Sequence, residues 1–314
     1  MILEAQLSRR IRKSADVSRP HAFFSEQERS DSGEIVSVAT IFLTNRECPW
    51  RCIYCDLWKN TTTETVPPGA IPAQIDFALR ELGHPAIRQI KLYNAGSFFD
   101  PRAFLPEDFP AIAERLRGFE RVIVECHPAL VGDSTMRFRD LLTTATKLEI
   151  AMGLEIAADA ILAKLNKRMT LAMFRRAADF LRAHDIAMRA FVMVKPPFVR
   201  SEGEALDFAK RSIDFAFDCG TTAVSLIPAR FGPEELKALA QSGDFSPPKL
   251  ATLEAALDYG AALRRGRVFA DLWDLEQLAD CPECFPTRRE RLKQVNLQQQ
   301  VLPRVNCHGA ACQQ

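Results

Sequence analysis

The feature that most constrains this 314-residue chain is a short loop that carries three cysteines. Residues 45–60 read NRECPWRCIYCDLWKN and place Cys48, Cys52 and Cys55 at Cys-x3-Cys-x2-Cys spacing. The chain has nine cysteines, so a third of them fall within eight positions. Thiolates gathered in this way are ligands for soft or borderline metals. The loop is therefore predicted to be a metal-binding site.

Two kinds of metal centre are compatible with this spacing. A closed structural zinc site needs four ligands, whereas the loop contains no histidine, and His84 lies beyond a predicted helix. A cluster of four irons is normally held by one cysteine per iron, so three cysteines would leave one iron open to an exogenous ligand. The spacing favours the iron–sulfur cluster, with a partial zinc site as the alternative.

An aromatic residue, Tyr54, precedes the last cysteine, and the complete motif resembles that of the radical S-adenosylmethionine (SAM) enzymes. The resemblance implies that SAM chelates the open iron through its amino and carboxylate groups. One electron from the [4Fe-4S] cluster would then cleave the sulfonium, and the resulting 5′-deoxyadenosyl radical would abstract a hydrogen atom from a substrate. The resemblance also implies a partial (β/α)6 barrel and an electron donor of the flavodoxin or ferredoxin type.

The hydrophobic pattern predicts the same fold class. Residues 35–43 are rich in β-branched and aromatic residues and end directly before the cysteine loop, which is typical of a strand. Residues 70–82 have apolar residues at helical spacing. Further strands, at 87–93, 121–125, 148–154, 187–194 and 222–227, alternate with helical segments at 109–117, 171–184 and 205–218. This alternation predicts an α/β fold, a partial (β/α)6 TIM-like barrel with its chemistry on the loops that follow the strands.

Three regions are expected along the chain. Residues 1–33 are charged and lack sustained periodicity, which predicts an N-terminal arm or a capping segment. Residues 34–270 form the barrel, with a helix over 250–265 and a short edge strand at 268–270. Residues 271–314 form a Cys-rich extension with a helix over 288–300. The basic residues of the arm are either a solvated face or an RNA contact; they are Arg9, Arg10, Arg12, Lys13 and Arg19.

The turn after the second predicted strand reads NAGSFFD, where many radical SAM enzymes carry Gly-Gly-Glu-Pro. The resemblance implies that this turn, with Ala95, Gly96 and Ser97, holds the methionine amino group of SAM, largely through backbone carbonyls. A small residue that permits close approach matters most at such a turn. Glu125 ends the third predicted strand, where its carboxylate could accept hydrogen bonds from the ribose or the ammonium group.

The next two strand ends supply the remaining candidates. By resemblance, Gly153 and Glu155 help to shape the adenosyl pocket, and Lys167 or Arg168 could meet a carboxylate. At the end of the fifth strand, Met193 could pack against adenine. Lys195 is the charged residue there and is a candidate contact for the substrate or a carboxylate, with a solvated lysine as the alternative.

The C-terminal region carries a second group of cysteines, with Cys281 and Cys284 as one pair and Cys307 and Cys312 as another. Two pairs suggest four thiolate ligands on one zinc ion, which would fix the tail to the barrel. His308 is a substitute ligand. A second iron–sulfur cluster is the alternative.

Overall composition limits the choice of partners and compartment. The formal net charge is +1, so no global field attracts the chain to nucleic acid or to an acidic membrane. The sequence contains neither the long apolar core of a signal peptide nor a membrane span, and its clustered cysteines suit a reducing compartment. A cytoplasmic protein is expected.

The motifs also indicate a branch of the superfamily. The segments CPWRCIYC, KLYNAGSFFDP, VECHP, GLEIAADAILAKLNK and FVMVKPPF most resemble the radical component of archaeosine synthase and, more distantly, the elongator catalytic subunit. This resemblance favours modification of a tRNA nucleobase, with tRNA or a partner enzyme as a partner, and basic groups at 264–267 and 288–293 could neutralise phosphates. The alternatives are a radical reaction on a small molecule or peptide and a non-enzymatic metal-binding module.

Overall fold

The computed structural model describes residues 16–83 and 86–306. Several residues named above lie outside these ranges: Arg9, Arg10, Arg12, Lys13, His84, Cys307, His308 and Cys312. One eight-stranded sheet forms the centre of the fold, with its strands in chain order. The strands are β1 Ala22–Arg29, β2 Ile35–Leu43, β3 Ile87–Asn94, β4 Arg121–Glu125, β5 Lys147–Glu155, β6 Ala187–Val194, β7 Ala223–Pro228 and β8 Arg267–Ala270.

Strands β2 to β8 are parallel, and β1 pairs with β2 in the antiparallel direction. The helices are α1 Ala70–Leu82, α2 Phe109–Arg115, α3 Asp133–Leu141, α4 Asp159–Lys164, α5 Leu171–Ala183, α6 Glu202–Asp218, α7 Glu234–Gln241, α8 Leu250–Leu263 and α9 Phe285–Gln298. The predicted α/β class and the predicted partial barrel are confirmed, as are the strands from β2 to β8.

Strand β1 differs from the expected arm or capping segment. It joins β2 through a turn in which Gly33 has φ +84°, a conformation that glycine adopts without strain. Two of its residues, Glu26 and Glu28, bond to the ammonium group of Lys91 on β3. Because charged rather than apolar residues face the sheet's inner side, β1 lacks the alternating hydrophobic pattern by which a half-buried strand is recognised.

A buried ion network shows how far the sheet curls. Arg189 of β6 donates hydrogen bonds to Glu28 of β1 and, over 2.9 Å, to Glu149 of β5. In a flat sheet β1 and β6 would be about 24 Å apart, because neighbouring strands are spaced by about 4.8 Å. The contact therefore requires a sheet that curls into a partial barrel, with these three side chains inside it.

Other basic residues complete this network at the amino ends of the strands. Arg121 of β4 and Arg267 of β8 also approach Glu149, at 3.2 Å and 3.4 Å. Burial opposes ionisation of Glu149, but the charges of Arg189, Arg267 and Arg121 outweigh it and hold the pKa of this carboxyl below its usual range. The barrel interior thus contains paired charges at this end.

Helix α9 covers the open side of the barrel. It packs against β8 and β1, the two edge strands of the sheet. The side-chain amide of Asn296 pairs with the backbone of Ala270, and that of Gln299 pairs with the backbone of Val268. These amides replace the missing neighbouring strand, so the edge is not left with open backbone groups. The C-terminal region therefore forms part of the barrel wall.

Within the described ranges, no helix is both long enough and apolar enough to cross a bilayer.

Replacing Arg189 by methionine should destabilise the fold strongly. The Arg189→Met variant keeps most of the side-chain bulk but removes the shared partner of two buried carboxylates, and breaking such a pair typically costs about 3–5 kcal/mol. The free energy of unfolding, measured by urea titration, checks this value. The control is Arg182→Ala, which removes an exposed ion pair with Asp179 and should cost less than about 1 kcal/mol. Equal losses in the two variants would contradict the role of the network.

Candidate active site

The cysteine loop follows β2 and lies at the carboxyl ends of the strands, where neighbouring loops hold it in place. Asn166 donates hydrogen bonds from Nδ2 to the carbonyl oxygens of Trp50 and Arg51, both at 3.0 Å. The Trp50 ring stacks on His127, with ring centroids 4.0 Å apart and planes 9° from parallel. The loop is thus fixed by residues that follow β4 and β5.

His127 supports this stack as a neutral ring. Burial, and then the nearby charge of Lys167, lowers its pKa to about 4. Nδ1 accepts a hydrogen bond from the Ala129 amide, and Nε2 lies 3.2 Å from the carbonyl oxygen of Lys167, to which it can donate. Both ring nitrogens are therefore engaged in positioning the ring.

The three cysteines of the loop lie near enough to one another for their charges to interact. Burial raises the pKa of the Cys48 thiol to about 11 and that of Cys55 to about 12, and the charge of Cys52 raises both further. A bound metal would have to offset this cost of ionising the thiols. In residues 16–83 and 86–306, no three His, Cys, Asp or Glu side chains form a group that could hold a metal ion.

Gly96 leaves space directly beside Cys48. Its φ is +149°, and a Cβ there would lie 3.4 Å from Cβ of Cys48 and 3.5 Å from Nδ2 of Asn94. Asn94 is 3% exposed, and neither polar atom of its side chain has a hydrogen-bond partner within the described structure. A buried amide without partners, next to a space bordered by a thiol, is what a site for a thiolate-bound group provides. The space beside Cys48 therefore suits a thiolate-bound group.

A buried ion pair lies on the other side of the loop. Nζ of Lys167 is 2.7 Å from Oε1 of Glu155, and the lysine is also close enough to Cys52 and Cys48 for their charges to raise its pKa, against the effect of burial. Gly153 makes room for this pair, since a Cβ there would be 2.4 Å from Nζ of Lys167. Lys167 thus provides a fixed positive charge beside the thiols.

Tyr54 and Glu125 complete the polar lining. Burial, and then the charge of Glu155, raises the pKa of Tyr54 well above its usual value, so the phenol remains neutral. Glu125 accepts a hydrogen bond from the backbone N–H of Asn94 at 3.0 Å. Burial nevertheless dominates and raises the pKa of Glu125 to about 7. Ser97 accepts a hydrogen bond from the His127 amide and so links the NAGS turn to the next loop.

The two candidates on β6 and its loop, Met193 and Lys195, have different surroundings. Met193 packs with Ala229, Leu236 and Phe245 against Tyr54, which places an apolar wall beside the loop. The ammonium group of Lys195 is buried and bonds to Glu202, to Ser246 at 2.8 Å and to the carbonyl oxygen of Pro247 at 3.4 Å. Lys195 thus joins loops of the chain, and its contact with a ligand stays a prediction.

Several of the basic groups expected to bind phosphates are engaged within the fold. Arg265, Arg288 and Arg291 form ion pairs with Asp218, Glu254 and Asp258, and Arg267 is buried. Residues 264–266 moreover precede β8 and Arg267 begins it, so these residues lie at the end of the barrel opposite the cysteine loop. These residues stabilise the fold.

The zinc site of the C-terminal region remains a prediction. Cys281 and Cys284 are both buried just before α9. Cys307 and Cys312, which would supply the other two thiolates, and His308 lie outside the described residues.

No family model matches the chain. The chain is 27% identical over 228 residues to archaeosine synthase subunit β of Methanosarcina acetivorans, an alignment that covers 70% of this chain and 65% of that protein. It is 28% identical over 129 residues to archaeosine synthase subunit β of Thermococcus kodakarensis, covering 40% of this chain and 39% of that protein. The chain thus spans slightly less than two thirds of the length of the first relative.

Solved structures show the same fold. Elp3 of Methanocaldococcus infernus has a TM-score of 0.51 and 16% identity, and the match covers 72% of this chain and 58% of that one. SuiB of Streptococcus suis bound to S-adenosylmethionine has a TM-score of 0.50 and 12% identity, covering 74% of this chain and 49% of that one.

In sequence, the chain is similar to archaeosine synthase subunit β of two archaea, and it shares its fold with Elp3 and SuiB. In this fold, the three-cysteine loop, the NAGS turn, Glu125 and the Glu155–Lys167 pair meet at one end of the barrel, as expected from the positions of these residues at strand ends.

Sequence reasoning missed the residues that support the loop. Trp50 and Asn166 could not be assigned from spacing, because their partners lie 77 and 116 positions away along the chain. Asn94 left a clear signal, since it is a polar residue at a strand end directly before the small-residue turn.

Glu125 should make the cofactor-free protein less stable as the pH rises. Below pH 4.5, its ordinary pKa, the carboxyl is protonated in both folded and unfolded chains. Between pH 4.5 and about 7 only the unfolded chain loses the proton, so folding stability falls, by about 3 kcal/mol in total. Glu125→Gln should remove this loss, as measured by anaerobic urea unfolding at pH 5 and pH 8. Glu107→Gln, an exposed control, should leave the pH dependence unchanged; parallel curves for wild type and Glu125→Gln would refute the shift.

Proposed function

We propose that this protein binds a [4Fe-4S] cluster through Cys48, Cys52 and Cys55, binds SAM beside it, and abstracts a hydrogen atom during modification of a tRNA nucleobase. The observation that carries the proposal is the fixed three-cysteine loop at the barrel mouth, with the space at Gly96 on one side. The Glu155–Lys167 pair places a positive charge near Cys52 and Cys48.

When bound, the cluster would supply the electron that cleaves the SAM sulfonium. The chain's own residues compensate charge and offer hydrogen bonds. Lys167 offsets the negative charge of the thiolates, which it approaches from the side of Cys52. Glu125 and Glu155 offer carboxylate oxygens to hydroxyl or ammonium groups, and such charge-assisted hydrogen bonds are strong.

Exclusion of water is the second task of the site. Tyr54, Met193 and the residues packed around them form an apolar wall next to the loop. The Trp50–His127 stack covers the loop's other flank. A dry, shaped cavity protects reactive intermediates from side reactions.

Similarity to proteins named archaeosine synthase subunit β supports tRNA as the substrate class. The word "subunit" in those names supports a partner enzyme for this chain as well, and an electron donor of the flavodoxin or ferredoxin type would reduce the cluster. The basic residues near β8 and α9 are mostly engaged within the fold, so RNA would approach at the mouth. Arg168, directly after Lys167, is exposed and forms no ion pair with the residues that the structure describes.

The direct test is cleavage of SAM by the reconstituted, reduced protein. Wild type should bind four irons and release 5′-deoxyadenosine, detected by anaerobic chromatography, whereas Cys52→Ala should lose both properties because one iron loses its ligand. Cys219→Ala removes a buried cysteine outside the loop and should behave as wild type. Cleavage of SAM by Cys52→Ala, or the absence of 5′-deoxyadenosine from iron-loaded wild type, would overturn the proposal.

RNA binding can be tested with two arginines in matched settings. Arg168 and Arg264 are both exposed and have φ values of +56° and +52°, but they lie at opposite ends of the barrel. Arg168→Ala should weaken binding to a tRNA transcript and reduce the slope of log K against log salt by about 1, whereas Arg264→Ala should not.

The salt series also separates the substrate classes. Affinity of the wild type for tRNA should fall steeply as salt rises, because counterions are released when phosphates bind. No measurable tRNA binding, together with intact SAM cleavage, would favour a small molecule or a peptide as the substrate.

A further inference from the structure

Asn94 is a buried side chain that the fold does not use. It is the last residue of β3 and is 3% exposed, yet Nδ2 and Oδ1 both lack a hydrogen-bond partner within the described structure. Burying an amide without partners is costly, because each unsatisfied group loses its hydrogen bonds to water. Native proteins retain few such groups, and each one calls for an explanation, such as an absent ion or ligand.

The backbone around Asn94 is held firmly, which fixes the position of the side chain. Its amide donates to Oε2 of Glu125 at 3.0 Å, and its carbonyl oxygen accepts from the Gly96 amide at 3.0 Å. The side-chain amide is free of such bonds. It can therefore turn either edge to a ligand without breaking an existing hydrogen bond.

The Asn94 side chain lies beside Cys48. The point where Gly96 lacks a Cβ is 3.5 Å from Nδ2 of Asn94 and 3.4 Å from Cβ of Cys48. Asn94 and Cys48 therefore border the same small space. The Cys48 sulfur is also a hydrogen-bond acceptor for the Trp50 amide, so backbone and side-chain donors lie on different elements around it.

We propose that Asn94 donates an N–H···S hydrogen bond from Nδ2 to the sulfur of Cys48 when the cluster is bound, and thereby raises the reduction potential of the cluster. An amide N–H is a donor and a thiolate is a charged acceptor, so the two groups are complementary. Hydrogen bonds to cluster sulfurs stabilise the reduced state, which carries one more negative charge. This inference rests on the cluster of the proposed function and makes Asn94 a positioning and tuning residue.

The test is a redox titration of the reconstituted protein without SAM or substrate, in which electron paramagnetic resonance monitors the reduced cluster. Asn94→Leu keeps a similar volume but removes the donor, so its potential should shift to a more negative value than that of wild type. Asn94→Ala removes the same donor with no added bulk and should shift in the same direction. Samples are compared at equal iron content per chain.

Gln89→Leu is the matched control. Gln89 lies on the same strand, is 2% exposed and also has a side-chain oxygen without a partner. It is five residues from Asn94, about 17 Å along the strand, and so cannot reach the cysteine loop. The reduction potential of the cluster in Gln89→Leu should equal that of wild type.

A second readout identifies the hydrogen bond itself. Electron–nuclear double resonance of wild type in H₂O and D₂O should show an exchangeable proton coupled to the cluster that is absent from Asn94→Leu. Unchanged potentials in both Asn94 variants, or an equal shift in Gln89→Leu, would overturn the inference and leave the proposed function intact. Failure of wild type to assemble a cluster would instead refute the proposed function.

Discussion

The contact between Arg189 and two carboxylates determines the curvature on which the rest of the structure depends. Glu28 and Glu149 lie on β1 and β5, and Arg189 reaches both from β6. Charges in a protein interior are tolerated only when they are paired and hydrogen-bonded, so these strands must approach one another. The resulting curl directs the loops after the parallel strands toward one mouth, where the cysteine loop can meet residues that follow β3, β4 and β5.

The barrel interior is divided into two polar layers with different tasks. The lower layer lies toward the amino ends of the strands, where ion pairs of Arg189 with Glu28 and Glu149 neutralise its charges. Phe42, Tyr93 and Phe191 form a chain of edge-to-face aromatic contacts above it, with centroids 6.0 Å and 5.8 Å apart. The upper layer contains Asn94, whose side-chain amide has no hydrogen-bond partner within the described structure, and Glu125, whose pKa is raised by burial to about 7. An unsatisfied buried amide and a carboxyl with a shifted pKa are features of a candidate functional site.

Much of the fold could be predicted because the hydrophobic pattern records which strands are buried. Helix α1 was predicted with the bounds 70–82 that the structure shows. Strand β1 was missed because its inward side chains are carboxylates that pair with Lys91, a partner far away in sequence. For the same reason the partner of Lys195 could not be named from sequence: a lysine at a strand end has the same local pattern whether it meets a ligand or Glu202. The cysteine spacing, in contrast, is a local signal, and it indicated a candidate site from sequence alone.

In the proposed function, the three-cysteine loop leaves one iron of the cluster open to SAM. Electron paramagnetic resonance of the reduced, reconstituted protein, recorded before and after SAM is added, tests this directly. If SAM binds to an iron that has no protein ligand, the spectrum of the cluster should change on addition of SAM, and S-adenosylhomocysteine added at the same concentration gives the comparison for binding without a sulfonium. A spectrum that SAM leaves unchanged, in protein that contains four irons per chain, would contradict the account.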